Sequence, residues 1–256
     1  MLMAVDVGNT QTVLGLFEGD ELRGQWRLAT EAHRTADELA VVFAGLLDLS
    51  GLRLEDVSAM IVSSVVPGLA RSYRDLAREI FDVPYYPVNR EMETGLKNRY
   101  DDPGAVGADR IVNAVAAGRH YGLPVIIVDI GTATTVEAVD GEGCYLGGAI
   151  LTGLQVALEA LVSRTAKLPS VDLEEEPPRV IATNTPDSIR SGFIYGYAGA
   201  IDALVRRSRE ELGEVDVGVV ATGGPARAIV HHCREIETFD PDLTLKGLHI
   251  LYEMNS

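Results

Sequence analysis

Short apolar runs separated by tight polar turns fill the amino-terminal end of the chain. The runs cover residues 2–7, 13–17 and 22–28, and Gly8-Asn9 and Gly19-Asp20 lie in the turns between them. Runs of this length bounded by Gly, Asn and Asp are typical of strands joined by hairpins. The pattern therefore predicts a three-stranded β-meander.

Helical spacing begins after this meander. Thr35 and Glu38 have the spacing of a capping box, and apolar residues at helical spacing follow over 39–49. The next predicted elements are a strand over 60–66, a helix ending near 81, a polar loop over 90–103 and a helix over 111–119. The first half is thus predicted to be one α/β unit.

The second half of the chain repeats this plan. The predicted elements are strands at 124–128, 136–139 and 145–151, a helix from 155, a strand at 217–221 and, after Gly223-Gly224, another helix. Each half therefore begins with a predicted meander that is followed by helices.

Two similar turns occupy equivalent places in these halves. Asp6-Val7-Gly8-Asn9-Thr10 and Asp129-Ile130-Gly131-Thr132-Ala133-Thr134 begin 123 residues apart. One unit used twice is the simplest explanation, although two similar turns also arise by chance. The repeat predicts two α/β lobes, residues 1–115 and 116–256, with the two turns on either side of a cleft.

Charge and composition narrow the classes of function. The 256 residues carry a net charge of −16, and the 46% hydrophobic and 23% charged residues are ordinary for a globular protein. Nucleic acids and anionic membranes attract basic surfaces, so we expect neither as the main partner. Two cysteines make no disulfide framework, and no signal peptide or apolar run of about 20 residues is apparent, so we expect a cytoplasmic protein.

The Asp6 turn is the first candidate binding site. Its glycine lets the backbone approach a ligand, Thr10 and Thr12 add hydroxyl donors, and the Asp6 carboxylate suits hydrated Mg²⁺. Such a turn can hold nucleotide phosphates without a lysine-bearing P-loop, although Gly8-Asn9 is also common in plain hairpins. The P-loop, dinucleotide and hydrolase-elbow motifs are absent from the sequence.

Other segments are weaker candidates. Gly107-Ala108-Asp109-Arg110 lies at the start of a predicted helix, where Arg110 can bind an anion and Asp109 can act as a general base. The alternative is that Asp109 only caps the helix. Gly223-Gly224 suits a flat ring lying against the backbone, or is an ordinary turn. Adjacent helical residues point in different directions, so we expect His231-His232-Cys233 to share no metal ion. The acidic segment 171–178 is expected to be an exposed loop without chemistry.

In their order along the chain, these motifs resemble those of type III pantothenate kinases. The resemblance rests on the two Asp-Gly turns, Gly107-Ala108-Asp109-Arg110, Ala221-Thr222-Gly223-Gly224, Asn98-Arg99-Tyr100, Asn184-Thr185 and the run 241–248. It implies an actin-like ATPase (ribonuclease H-like) fold of two related α/β lobes. It also implies phosphorylation of the primary hydroxyl of pantothenate by ATP, the first step towards coenzyme A.

The resemblance further implies roles for individual residues. Asp109 is the implied general base, and Asp129 is the implied ligand of a monovalent cation, K⁺ or NH₄⁺, that acts beside Mg²⁺ with ATP. The implied ATP-binding residues are Asp6, Val7, Gly8, Asn9, Thr10, Gln11, Thr12, Val13 and Thr132. The implied pantothenate-binding residues are Tyr100, Gly107, Ala108, Asp109, Arg110 and Thr185. A homodimer is implied as well.

Two departures and two alternatives accompany the resemblance. Thr152 precedes Gly153 where the family usually has proline, and Glu137 stands where Asp is common. Another kinase or hydrolase of the same fold is one alternative function, and a non-catalytic accessory relative is the other. The acidic residues of all three motifs are present, which favours the enzyme.

Overall fold

Two β-sheets organise the chain, one in each of two α/β units of a computed structural model that describes all 256 residues. The first unit contains residues 1–95, 102–116 and 243–256, and the second contains residues 96–101 and 117–242. The sequence-based division at residue 115 differs from these units in two places. The carboxy-terminal helix belongs to the first unit, and a short strand near residue 97 belongs to the second.

Strands and helices follow one another in the order that the sequence pattern predicts for most of the chain. The strands are β1 (Leu2–Val7), β2 (Gln11–Glu18), β3 (Glu21–Ala29), β4 (Ala59–Ser64), β5 (Tyr85–Pro87), β6 (Lys97–Asn98), β7 (Val125–Ile130), β8 (Ala133–Val139), β9 (Cys144–Thr152), β10 (Gly218–Thr222) and β11 (Thr238–Phe239). The α-helices are α1 (Ala36–Leu49), α2 (Ala70–Asp75), α3 (Ala108–Tyr121), α4 (Leu154–Ser163), α5 (Thr185–Leu212) and α6 (Leu243–Asn255).

The two sheets share one topology. The first sheet has the strand order β3-β2-β1-β4-β5. The second sheet, read from its β6 edge, has the order β6-β9-β8-β7-β10-β11. Its strands β9-β8-β7-β10-β11 correspond to β3-β2-β1-β4-β5, and β6 is an additional edge strand. In both sheets, the first strand of an antiparallel meander also pairs in parallel with a later strand. These parallel pairs are β1 with β4 and β7 with β10. Asp6 lies beside Ser63 and Asp129 beside Thr222 in those parallel pairs. The predicted duplication is therefore confirmed at the level of strand order and register.

The first unit packs helices α1 and α6 on a sheet whose central strand is almost fully buried. Helix α1 buries Leu39, Phe43 and Leu47, which lie on one face because they are four residues apart. Helix α6 contacts β1, β2 and β4, and Leu245 reaches the backbone of Gly15 in β2. This packing explains why the end of the chain returns to the first unit.

The second unit is built around the long helix α5. The side chain of Asn184 caps its start by accepting a hydrogen bond from the N–H of Asp187, and Gly213 ends it in a left-handed conformation. Ile194 and Ile201 are among the residues that α5 buries in the core of this unit. None of the helices of the chain combines the length and apolar character that a bilayer span requires.

One local prediction was wrong, and two others were right only in part. The segment after Gly223-Gly224 forms short 3₁₀ turns over Pro225–Ala228 and Val230–His232 instead of an α-helix. The predicted helix does end near residue 81, but it is α-helical only to Asp75 and continues as a π-helical turn over Leu76–Ile80. The polar stretch 90–103 contains strand β6, which pairs with the edge strand β9.

The capping box of α1 is confirmed and yields a first prediction. The N–H of Glu38 donates to the hydroxyl of Thr35 at 3.3 Å, and the N–H of Thr35 donates to the Glu38 carboxylate at 2.8 Å. We expect Thr35→Ala to lower the free energy of unfolding by about 0.5–2 kcal/mol, because a backbone donor loses its acceptor. Urea unfolding measures this change. The control is Thr183→Ala, an exposed threonine that caps no helix; an equal loss in both variants would contradict the capping role.

Candidate functional site

The turn between β1 and β2 brings the predicted phosphate-binding residues together in the first unit. The N–H of Gly8 donates to the carbonyl of Gln11 at 3.0 Å, and a Cβ at Gly8 would lie 2.9 Å from that oxygen. A side chain at Gly8 would therefore crowd the turn. Asn9, Thr10 and Gln11 are exposed at its tip. An accessible turn of this kind can present backbone donors to an anion.

Thr12 faces the interior and not the tip of the turn. Its side chain is buried, and its hydroxyl shares a hydrogen bond of 2.9 Å with the hydroxyl of Thr30. Strand β2 alternates, so Thr12 points to the same side as the buried Leu14. In the structure this hydroxyl is hydrogen-bonded inside the unit, and the expectation that it serves a ligand stays a prediction. Of the two threonines, only Thr10 lies on the exposed tip.

Helix α3 places Asp109 in its first turn, also in the first unit. The N–H of Arg110 donates to Asp109 Oδ1 at 2.8 Å, and the carbonyl of Gly107 accepts from the N–H groups of Arg110 and Ile111. A Cβ at Gly107 would lie 2.5 Å from Asp109 Oδ1, so the glycine makes room for this carboxylate. Asp109 is half-buried at a helix start, a position where backbone dipoles favour negative charge. A carboxylate and a guanidinium on adjacent residues can accept a proton and hold an anion.

The second unit carries the equivalent turn around Asp129. Gly131 donates to the carbonyl of Ala133 at 2.9 Å. Gly223, at the end of β10, has a φ of +102°, and a Cβ there would lie 2.9 Å from Asp129 Oδ1 and 2.3 Å from the carbonyl oxygen of Ile130. The Asp129 carboxylate and the Ile130 carbonyl oxygen thus lie close to the Gly223 backbone. Both this close approach and the positive φ of residue 223 require glycine.

Thr132 is positioned by the start of helix α4. The N–H of Gly153 donates to the carbonyl of Thr132 at 3.0 Å, and a Cβ at Gly153 would lie 2.4 Å from that oxygen. The preceding residue, Thr152, occupies the position where the resembling family has proline. Its carbonyl accepts a hydrogen bond of 3.2 Å from the Tyr197 hydroxyl, which does not depend on the Thr152 side chain.

Tyr100 is held against the edge of the second sheet. Its N–H donates to the side chain of Asn98 at 3.0 Å, and a Cβ at Gly147 would lie 2.8 Å from its ring. The ring centroids of Tyr100 and Tyr145 are 6.5 Å apart. Tyr145 is buried, and its hydroxyl donates to the buried carboxylate of Glu137. Glu137 therefore anchors the aromatic side chain against which Tyr100 lies.

Thr185 lies in the second unit beside an open cavity. It is the first residue of α5, and the cavity of about 330 Å³ next to it is mostly apolar. The lining residues are Leu161, Leu168, Thr185, Ser188, Ile189, Gly192, Phe193 and Tyr197. A volume of this size suits a small ligand.

The predicted residues thus fall into two groups. The Asp6 turn and Asp109 lie in the first unit, whereas Tyr100, the Asp129 turn and Thr185 lie in the second. Sequence reasoning noted Gly153 and Glu137 only in connection with departures from the family pattern and missed their supporting contacts with Thr132 and Tyr145. The one sequence signal near these contacts was the pair Gly147-Gly148 within a predicted strand. Glycine inside a strand pattern often marks a bulge or the close approach of another backbone segment.

Comparisons with known proteins identify similar sequences. The sequence profile of a family described as type III pantothenate kinase matches residues 2–207. The type III pantothenate kinase of Rubrobacter xylanophilus is 66% identical over 260 residues, which cover 100% of this chain and 98% of that protein.

Solved structures with low sequence identity support the fold. An archaeal actin homologue has a TM-score of 0.56 at 12% identity and covers 98% of this chain and 99% of its own. The ROK hexokinase of Thermus thermophilus has a TM-score of 0.51 at 15% identity, with 98% and 97% covered. The fold is therefore that of the actin-like ATPases and sugar kinases, as the sequence predicted.

Proposed function

The chain belongs to the type III pantothenate kinase family and phosphorylates pantothenate with ATP in coenzyme A biosynthesis, and on this premise we propose which of its residues do so. A kinase of this kind takes its ATP with a divalent metal ion, for which we propose Mg²⁺. The observation that carries the assignment is the carboxylate of Asp109 beside Arg110 at the start of α3.

Asp109 is proposed as the general base. The primary hydroxyl of pantothenate attacks the γ-phosphorus, the bond to the β,γ-bridging oxygen breaks, and the hydroxyl proton passes to the Asp109 carboxylate. An alcohol is far too weak an acid to ionise in advance, so the carboxylate orients the hydroxyl and takes the proton late. Tyr100, Gly107, Ala108, Arg110 and Thr185 are proposed to hold pantothenate, with Arg110 paired to its carboxylate.

The turn from Asp6 to Val13 is proposed to hold the ATP phosphates, and Thr132 is also proposed as an ATP-binding residue. The exposed tip of the turn offers backbone N–H groups and the Thr10 hydroxyl. The Asp6 carboxylate is a hard oxygen ligand of the type that Mg²⁺ prefers, often through water. When bound, Mg²⁺ neutralises charge on the phosphates, which matters in a protein of net charge −16.

The Asp129 turn is proposed to hold a monovalent cation, K⁺ or NH₄⁺. The groups near Gly223 are the carboxylate of Asp129 and the carbonyl of Ile130, so this donor set is all oxygen. Hard cations prefer oxygen ligands, and the residues present therefore fit. Such an ion, when bound, would add positive charge near Thr132, the residue of this unit that is proposed to bind ATP.

We predict that Asp129→Asn raises the K⁺ concentration needed for half-maximal activity by about tenfold, corresponding to about 1.4 kcal/mol of lost binding free energy. Asparagine keeps the shape of the side chain and removes its charge. The measurement is the initial rate of ADP release against K⁺ concentration at constant ionic strength. Asp216→Asn is the control, because Asp216 is an exposed aspartate of the same unit at a positive φ that asparagine tolerates. A K⁺ dependence unchanged in Asp129→Asn would contradict the cation assignment.

One experiment tests the proposal as a whole. ADP release from ATP and Mg²⁺ is measured with and without pantothenate, first in K⁺ and then in Na⁺ buffer. Turnover that requires both pantothenate and K⁺ supports the reaction and the cation site together. Turnover without a K⁺ requirement keeps the kinase and rejects the cation site.

We also propose that the enzyme is a cytoplasmic homodimer. The family resemblance supports the dimer, which light scattering of the purified protein tests. A cytoplasmic location is supported by the substrate ATP and by the two free cysteines, Cys144 and Cys233.

A further inference from the structure

Glu176, His231 and His232 form a cluster on the second unit that has no part in the proposed phosphoryl transfer. Glu176 Oε1 lies 2.5 Å from Nε2 of His231 and 3.4 Å from Nε2 of His232. The centroids of the two imidazole rings are 4.1 Å apart. One ligand atom from each residue lies within 4.8 Å of the other two. Three groups that commonly bind metals therefore converge on one point.

The structure differs from the sequence-based expectation that the two adjacent histidines point in different directions, whereas Cys233 is not part of the cluster. That expectation assumed an α-helix, in which neighbouring residues point apart. The histidines instead end a single 3₁₀ turn, and the backbone becomes extended at Cys233. Because no helix continues beyond His232, both rings can lie side by side and face Glu176.

The environment of the cluster favours a bound cation. Nε2 of His232 is buried and is without a hydrogen-bond partner, although it lies 3.4 Å from Glu176 Oε1. Buried polar atoms are rarely left without a partner, and a metal ion would supply one. The side chains of Glu176 and His231 are 59% and 49% exposed, so an ion has access from solvent. Glu174 and Glu175 precede Glu176 and add negative charge to the same loop.

We propose that Glu176, His231 and His232 bind one Zn²⁺ ion through a carboxylate oxygen and two imidazole nitrogens, with water in the remaining position. Two histidines and one carboxylate are a common ligand set for this ion, and imidazole also suits other d-block cations. The hard ions Mg²⁺ and Ca²⁺ prefer oxygen ligands and fit this set poorly.

The role of the site is to fasten the acidic loop 171–178 to the turn that follows β10. The loop is already held to α5, because Arg190 donates to the carbonyl of Asp172 at 3.0 Å and pairs with Glu175. Leu173 is buried in the core of the unit. The metal ion adds a link from the other end of the loop to residues 231 and 232. It holds the loop in place and is distinct from the metal that accompanies ATP.

The test is Zn²⁺ binding by the full-length, chelator-treated protein without ATP. Titration against a chromophoric chelator is expected to give one Zn²⁺ per chain in the wild type. Glu176→Gln and His231→Ala are expected to weaken this site by more than about 100-fold, since loss of supporting groups alone costs 10–100-fold. Zn²⁺ should also raise the Tm of the wild type and not that of the variants.

Two control variants separate this site from other Zn²⁺ binding. His33→Ala removes an exposed histidine of the first unit, and Cys233→Ser removes a thiol that donates to the carbonyl of Ile229. Both should keep the wild-type affinity. Absence of a stoichiometric site in the wild type, or equal affinity in Glu176→Gln and the wild type, would overturn the proposal. Glu176 is exposed on a loop, so Glu176→Gln is expected to fold, and circular dichroism verifies this.

Discussion

Replacing Asp109 with asparagine is expected to lower kcat for pantothenate phosphorylation by about 10²–10⁴-fold, the usual contribution of a general base. Asparagine retains an oxygen that can accept the hydrogen bond from the N–H of Arg110, so the start of α3 is expected to stay intact. Asparagine cannot take the proton of the attacking hydroxyl. The KM for ATP should change little, because the proposed phosphate-binding residues lie on the β1–β2 turn and at Thr132. Steady-state kinetics with saturating pantothenate measures both constants.

Asp37→Asn provides a matched control for this experiment. Asp37 is the second residue of α1, as Asp109 is the second residue of α3, and both residues belong to the first unit. Both substitutions remove a negative charge that interacts favourably with a helix start, so they should have similar small effects on stability. Only Asp109→Asn should lose turnover. Turnover by Asp109→Asn equal to that of Asp37→Asn would reject the base and leave Asp109 as a helix-terminal charge.

The duplicated architecture was predictable because its signals are local. Each half begins with short apolar strands and a turn that contains Asp and Gly. Such hairpin patterns are set by residues close together in sequence. The strand Leu2–Val7 has the same limits in the prediction and in the structure. The capping box at Thr35 also followed from residues three apart. Such features need no knowledge of distant contacts.

Features that depend on distant contacts were not predictable in this way. Strand β6 is two residues long and exists because it pairs with β9, which lies over 40 residues away along the chain. Helix α6 groups with the first unit, whereas the sequence-based division assigned it to the second lobe, because an apolar helix face carries no information about which sheet it covers. The convergence of Glu176 with His231 depends on how a loop and a 3₁₀ turn meet, 55 residues apart.

In the candidate site, too, the features set by neighbouring residues were predictable and those set by distant contacts were not. The motif residues of the Asp6 and Asp129 turns were identified from the sequence, and the structure places both at equivalent positions in their sheets. The inward orientation of Thr12 was missed because the register of β2 decides which side of the strand it occupies. The support of Thr132 by Gly153 was missed because it depends on the approach of α4 to the turn after β7.

Gly153→Ala is expected to lower the free energy of unfolding by about 1–3 kcal/mol, the usual cost of overpacking. The φ of Gly153 is −65°, which alanine adopts without strain, so the cost comes from contacts alone. A Cβ would lie 2.2 Å from the carbonyl oxygen of Gly131 and 2.4 Å from that of Thr132. These are backbone atoms, so relief of the clash requires movement of the turn that carries Thr132. The KM for ATP is therefore expected to rise together with the loss of stability.

Gly45→Ala separates this contact effect from the general effect of adding a methyl group. Gly45 is exposed within α1, and a Cβ there meets no heavy atom within 4 Å. Alanine should stabilise this helix by about 0.4–1 kcal/mol, because it restricts the unfolded chain, and it should leave the KM for ATP unchanged. Urea unfolding and ATP titrations of both variants measure the two effects. A stable Gly153→Ala variant with a wild-type KM would show that the turn moves without consequence, and Thr132 would then have no role in ATP binding.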